Sequence, residues 1–154
     1  PRAAGMEEVG FFVSTHSGLP AGPLEKIASG GELSRISLAI QTAMSGQAGV
    51  PTLILDEVDV GIGGAVAEAV GRRLAQLGKS KQVLVITHLP QVASWGDQHL
   101  LVSKSVVDEK LQSDIRPLDN RARVEEIARM LGGQEITPTT RRHAQEMLEL
   151  AVER

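Results

Sequence analysis

TLILDEVDVGIGGAVAEAVGRRL, residues 52–74, decides the fold class. A short apolar run ends in two acids, Asp56 and Glu57. It reads as a buried strand over 52–56 that delivers carboxylates at its carboxyl end. The glycine-rich EVDVGIGG that follows is a loop. Residues 64–77 then form a helix with Val66, Val70, Leu74 and Leu77 on one face. QVLVIT, 82–87, is a second buried strand, and HLPQVASWG after it is a turn and a short helix. Strand, helix, strand, helix in the middle of the chain makes α/β the natural class.

Upstream, EVGFFVS (8–14) reads as a strand and THSGLPAGPLEK (15–26) as a loop with two prolines and two glycines. From Gly31 to about Ser45, Leu33, Ile36, Ile40 and Ala43 recur at helical spacing, and GQAGVP (46–51) stops that helix. Downstream, residues 98–118 alternate around a polar centre, VVDEK, as an antiparallel hairpin does. Asp119 can cap a helix running through Leu131 and ended by Gly132-Gly133. Thr137 can cap a last helix with Pro138 in its first position.

The totals set bounds. A chain of 154 residues suffices for one domain with a sizeable core. Phe11, Phe12 and Trp95 are its only aromatics, so the core is expected to be aliphatic. With no cysteine there is neither a disulfide framework nor a thiolate metal site. No apolar run approaches membrane-spanning length, and no signal-peptide pattern stands at the start. The opening PRAAGMEEVG has no initiator methionine, and the expectation is a fragment of a longer chain. A net charge of −3 is unlike a strongly basic nucleic-acid module, so any DNA contact is local or made by other parts.

Three short stretches carry chemistry. Asp56 sits where open α/β sheets bind ligands and is placed to hold a magnesium ion. Glu57 is placed to orient or deprotonate a water. Thr87-His88 ends the second strand, where a histidine can hydrogen-bond a terminal phosphate. Ser29-Gly30-Gly31 opens a helix whose first N–H groups are available to an anion, and Glu32 suits the same dipole. Each has a blander counterpart that is commoner when it stands alone: a strand ending in solvated acids, a capping histidine, a glycine-rich turn. Lys26 and Arg35 flank the Ser-Gly-Gly stretch and fit a phosphate or partner contact no better than a solvated face and a structural ion pair. Arg72, Arg73, Lys79 and Lys81 read better as a solvated helix end than as a DNA patch.

In combination and in this order, SGGEL, LILDEVD, VDVGIGG and His88 resemble the signature motif, Walker B strand, D-loop and switch histidine of an ABC-type ATPase head. The wording KIASGGELSRISLAIQ, DEVD in place of the transporters' DEPT, QVLVITHLPQVAS and the tail VEEIARMLGG…HAQEML are similar to the RecN family. These are bacterial DNA double-strand-break repair proteins related to the structural-maintenance-of-chromosomes (SMC) proteins. The resemblance covers most of the chain. It implies an α/β carboxyl-terminal lobe over 1–154, with a mainly parallel sheet flanked by helices, a β-hairpin and two C-terminal helices. It implies ATP and Mg2+ as ligands, with Asp56 holding the metal's water shell, Glu57 as catalytic base and His88 on the γ-phosphate in cis. Ser29, Gly30 and Gly31 would meet that phosphate in trans, from a second head, and Asp59 would lie in the D-loop at the dimer interface.

No G-x-x-x-x-G-K-[ST] P-loop is present. Gly78-Lys79-Ser80 is a decoy, since position 73 is arginine and the tripeptide follows a helix; it reads as a helix stop with a basic cap. The resemblance places the P-loop and the Q-loop glutamine in an amino-terminal lobe, separated in sequence by a long coiled coil. The implied partners are that lobe, a second head in an ATP-dependent homodimer, and DNA through the complete protein, with no membrane. The implied location is the bacterial cytoplasm at the nucleoid, and the isolated lobe is expected to be inactive. An alternative reading makes the lobe mainly an ATP-gated interaction module with incidental hydrolysis. A transporter half is disfavoured by DEVD and the missing P-loop.

Overall fold

The computed structural model describes residues 10–14, 18, 20–26, 30–43, 50–107, 110–133 and 135–152. The order is β1 (Phe12–Val13), β2 (Gly22–Pro23), a 3-10 turn (Leu24–Lys26), α1 (Gly30–Ala43), β3 (Thr52–Leu55), α2 (Gly64–Gly78), β4 (Gln82–Val85), α3 (Pro90–Ala93), β5 (Leu100–Val107), β6 (Lys110–Pro117), α4 (Asn120–Gly132) and α5 (Pro138–Val152). The class is α/β as expected.

The two apolar runs pair in parallel, Thr52 with Gln82 through Leu55 with Val85, and Ile86 extends the ladder by donating to the Leu55 carbonyl at 3.0 Å. Among the described residues parallel pairing is confined to β3 and β4; β1–β2 and β5–β6 are antiparallel. Strand alternation sends Leu53, Leu55, Val83 and Val85 to the core side. There they meet Leu38, Val58, Ala67, Leu74, Leu77 and Val92. A second cluster joins Ile127, Ala128 and Ala144 of α4 and α5. The short α3 connects the two, giving Val92 to the first and Ala93 to the second. Both cores are aliphatic, as the composition required. Phe11 and Phe12 lie exposed, while Trp95 is buried beside α2.

Local signals are realised where they were read. Asp119 caps α4, its Oδ1 accepting from the Ala122 N–H at 2.7 Å, and Gly133 ends that helix at φ 68°. Thr137 Oγ1 accepts from the Thr140 N–H at 3.1 Å, with Pro138 opening α5. The hairpin spans 100–117, with residues 108 and 109 outside the described residues. Gly78 closes α2, and Lys79 follows it as cap. The strand expected over 8–14 is limited to Phe12–Val13, with residues 8 and 9 outside the described set; residues 44–49, covering most of the stop after α1, are likewise outside.

Two helix faces differ from the expected ones. On α2, Val66 is exposed, and the inward stripe is Ala67, Gly71, Leu74 and Leu77 with Val70 beside it. Small residues lead it because α3 packs very closely: a Cβ on Gly71 would stand 2.6 Å from Trp95 Cδ1 and 2.9 Å from the Gln91 carbonyl. On α1, Leu33, Ile40 and Ala43 are exposed, Ile36 is half-buried, and Gly31 and Leu38 point inward. That face is set by hydrogen bonds to the loop after β3, described next.

Candidate functional site

β3 and β4 end side by side, so the segments after them, 56–60 and 86–89, form one surface. Asp56 is exposed, and its Oδ1 accepts from the Glu57 N–H at 2.9 Å. Glu57 is exposed with φ 60°, the only described non-glycine residue in the left-handed region. That conformation turns the chain sharply. Val60 N–H then bonds back to the Glu57 carbonyl at 3.3 Å, while Val58 and Asp59 are driven inward to 0% and 3% exposure.

Asp59 points at the tip of β4. Its Oδ2 accepts from Thr87 Oγ1 at 2.5 Å and from the His88 N–H at 3.2 Å, and stands 3.3 Å from His88 Nδ1. The His88 ring itself is 73% exposed. On the other side α1 grips the same loop. Ser34 Oγ donates to the Asp56 carbonyl at 3.0 Å, and Arg35 to the Val60 carbonyl at 2.8 Å. The glycines permit this approach. A Cβ on Gly31 would lie 3.1 Å from the Glu57 and Val60 carbonyl oxygens, and one on Gly30 only 2.5 Å from Glu57 Oε2.

Asp56, Glu57, Asp59, His88, Gly30 and Gly31 thus gather on one loop and its borders, within a single chain. Ser29 lies outside the described residues. Asp59 is turned inward onto Thr87 and His88, while Gly30 remains exposed at the start of α1. Among the described residues no three acids or histidines are grouped to hold a metal by themselves. The donor set nonetheless suits Mg2+, which is commonly held by one or two carboxylates, waters and substrate phosphates. A hollow of 340 Å³ by Leu101, Arg116, Glu125 and Arg129 shares no residue with this surface.

Curated relatives give the family. The chain is 47% identical to the DNA repair protein RecN of Halalkalibacterium halodurans over 97% of its length, and 49% identical to that of Streptomyces coelicolor over 96%. It is 52% identical to RecN of Xylella fastidiosa over 97%. The chain belongs to the RecN family. It spans about a quarter of the length of these relatives (26%, 26% and 27%), in their carboxyl-terminal portion. No family model matches it. The fold resembles a solved chain described as "Structural biochemistry of ATP-driven dimerization and DNA stimulated activation of SMC ATPases", with TM-score 0.52, 21% identity, 77% of this chain covered and 70% of that one. The two chains therefore share a fold. No helix among the described residues is long and apolar enough to cross a membrane.

The sequence pattern points to the loop but not to what braces it. Ser34, which the helical spacing does not single out, and Arg35 both bond loop carbonyls. The available signal was positional: Ser34 and Arg35 lie one turn after Gly30-Gly31, so whatever the glycines approach those side chains also reach. Thr87 was read only as the end of a strand. Its hydroxyl donates to Asp59 and accepts from the Leu89 N–H at 3.1 Å, opening α3.

Proposed function

We propose that residues 1–154 form the carboxyl-terminal lobe of an ATP-hydrolysing head in a RecN-type protein of DNA double-strand-break repair and recombination. The observation that carries this reading is the convergence of Asp56, Glu57 and His88 at the carboxyl tips of two parallel neighbours, in a chain of this family. The P-loop lysine would come from an amino-terminal lobe of the same protein. Magnesium, when bound, would neutralise charge on the ATP phosphates.

The chain's own residues have distinct parts. Asp56 holds the water shell of the metal. Glu57, exposed and one residue on, takes the proton of the attacking water. His88 presents an exposed ring to the terminal phosphate. Ser29, Gly30 and Gly31, at the positive end of α1, meet the phosphate of a second head, and the loop around Asp59 lies along that interface. ATP then joins two heads, and hydrolysis releases them. DNA binds through the complete protein, which works in the bacterial cytoplasm at the nucleoid. The lobe alone is inactive because most phosphate contacts are supplied elsewhere.

The test uses the full-length protein. Glu57→Gln should lower turnover by about 10²- to 10⁴-fold, the usual cost of losing a general base, while the ATP-bound dimer accumulates. Asp56→Asn should reduce both turnover and dimer formation. Turnover is read by phosphate release and association by light scattering with and without ATP. Normal hydrolysis by Glu57→Gln would remove Glu57 as base and favour an ATP-gated interaction module.

A further inference from the structure

Asp59 is buried, yet a metal ligand or an interface residue would be reached from outside. Burying a carboxylate is costly unless it is bonded. Two hydrogen bonds converge on one oxygen, Oδ2, from the tip of β4, those of the Thr87 hydroxyl and the His88 N–H, and the Nδ1 edge of the His88 ring stands 3.3 Å from the same oxygen. These partners lie 28 and 29 residues away in sequence, so the contact exists only because β3 and β4 pair in this register. Thr87 is held in turn, since its hydroxyl oxygen accepts from Leu89 at the entry to α3. The ring beyond this anchor is largely open to solvent.

We infer that Asp59 is the positioning residue for His88. It anchors the His88 backbone and draws Nδ1 toward its carboxylate, which favours a proton on that nitrogen and leaves Nε2 to the open side, and it ties the 57–60 loop to the end of β4. Its use in catalysis rests on the ATP-hydrolysis reading above; its geometry does not. With the ring neutral, a proton on Nδ1 makes Nε2 an acceptor for a water proton. With the ring charged, Nε2–H donates to a phosphate oxygen while Asp59 opposes the added charge. The loop that carries Glu57 and the histidine that faces the phosphate then move together, because one buried oxygen is shared between them.

Two measurements on the full-length protein test this. Histidine-selective 15N NMR at about pH 8, above the ordinary histidine range, reads which nitrogen is protonated. The wild type should show His88 protonated at Nδ1, and Asp59→Ala should lose that preference. A proton on Nε2 in the wild type, or an unchanged pattern in Asp59→Ala, would overturn the assignment. The second measurement is a double-mutant cycle on ATP turnover. Asp59→Ala should lower kcat about 10- to 100-fold, the range seen when the outer partner of a working histidine is removed, with KM for ATP little changed. Added to His88→Ala, it should cost nothing further, because both act through one ring. Additive losses would refute the catalytic link. Should Asp59→Ala fail to fold, Asp59→Asn runs the same cycle with size and one acceptor oxygen retained. If the wild type turns over no ATP while the NMR result holds, the hydrolysis reading falls and the positioning stands.

Discussion

Glu57 occupies a backbone conformation that its side chain does not favour, and replacing it should make the protein more stable. At φ 60° an L-residue other than glycine carries about 1–2 kcal/mol of strain, because Cβ crowds the following carbonyl. Asparagine tolerates the left-handed region through local hydrogen bonding, so Glu57→Asn should recover part of this, about 0.5–1 kcal/mol. Glycine removes the whole strain but adds about 0.5–1 kcal/mol of unfolded-state entropy, for a similar net gain. Little packing is lost in either case, since the Glu57 side chain is exposed. Glu57→Gln retains both Cβ and strain and should leave stability unchanged. In a domain of this size each kcal/mol moves Tm by roughly 2–4 °C, which differential scanning calorimetry resolves. The ranking Asn and Gly above wild type, with Gln equal to it, should accompany loss of turnover in all three variants of the full-length protein. A destabilised Glu57→Gly, or an Asn variant no more stable than the Gln one, would refute the strain argument. A strained residue whose removal stabilises the fold is what a functional position leaves behind.

Gly31→Val should push α1 off the 57–60 loop, since its side chain meets two carbonyl oxygens and Val60 from 3.1 Å; a loss of about 1–3 kcal/mol by urea titration is expected. In the full-length protein the same change should weaken ATP-driven association more than ATP binding. Gly71→Ala should destabilise despite alanine's better helix propensity, by about 1–3 kcal/mol, because its methyl lands on Trp95 and on the Gln91 carbonyl; Trp95 fluorescence reports the displacement. Burial, reinforced by the Arg123 guanidinium and opposed by Glu126, holds the His99 imidazole below the ordinary histidine range. The unfolded chain therefore binds that proton at higher pH than the folded one. Stability is lost as pH falls below about 6.5, and His99→Gln should flatten the fall in urea midpoint between neutral and mildly acidic buffer.

Features settled by near neighbours were legible in the sequence. The caps at Asp119 and Thr137 and the stop at Gly78 depend on bonds within a few residues, the alternating hairpin pairs two strands adjacent in sequence, and each lies where the residues put it. The inward faces of α1 and α2 were not legible. A helical repeat shows that an apolar stripe exists, but two overlapping stripes can share one helix. On α2 the choice was made by Trp95, which needs Gly71 beneath it. On α1 it was made by two polar residues, Ser34 and Arg35, which bond carbonyls 22 and 25 positions away. The inward turn of Asp59 follows the same rule: nothing local distinguishes it from Asp56, and only β4 decides.

Among the described residues the parallel pair is covered on one face only. Its core side is covered by α2, yet Ile54, Leu84 and Ile86 stand 69%, 42% and 60% exposed on the other side. Parallel sheets are almost always covered on both faces, because their strands are apolar on both. These same strands carry Asp56 and His88 at their tips. A further apolar surface laid on that bare face would bury Ile54, Leu84 and Ile86 and complete the sheet. The residues at the carboxyl tips, Asp56 and His88, lie at the rim of this bare face, so whatever covers it also walls the surface they form.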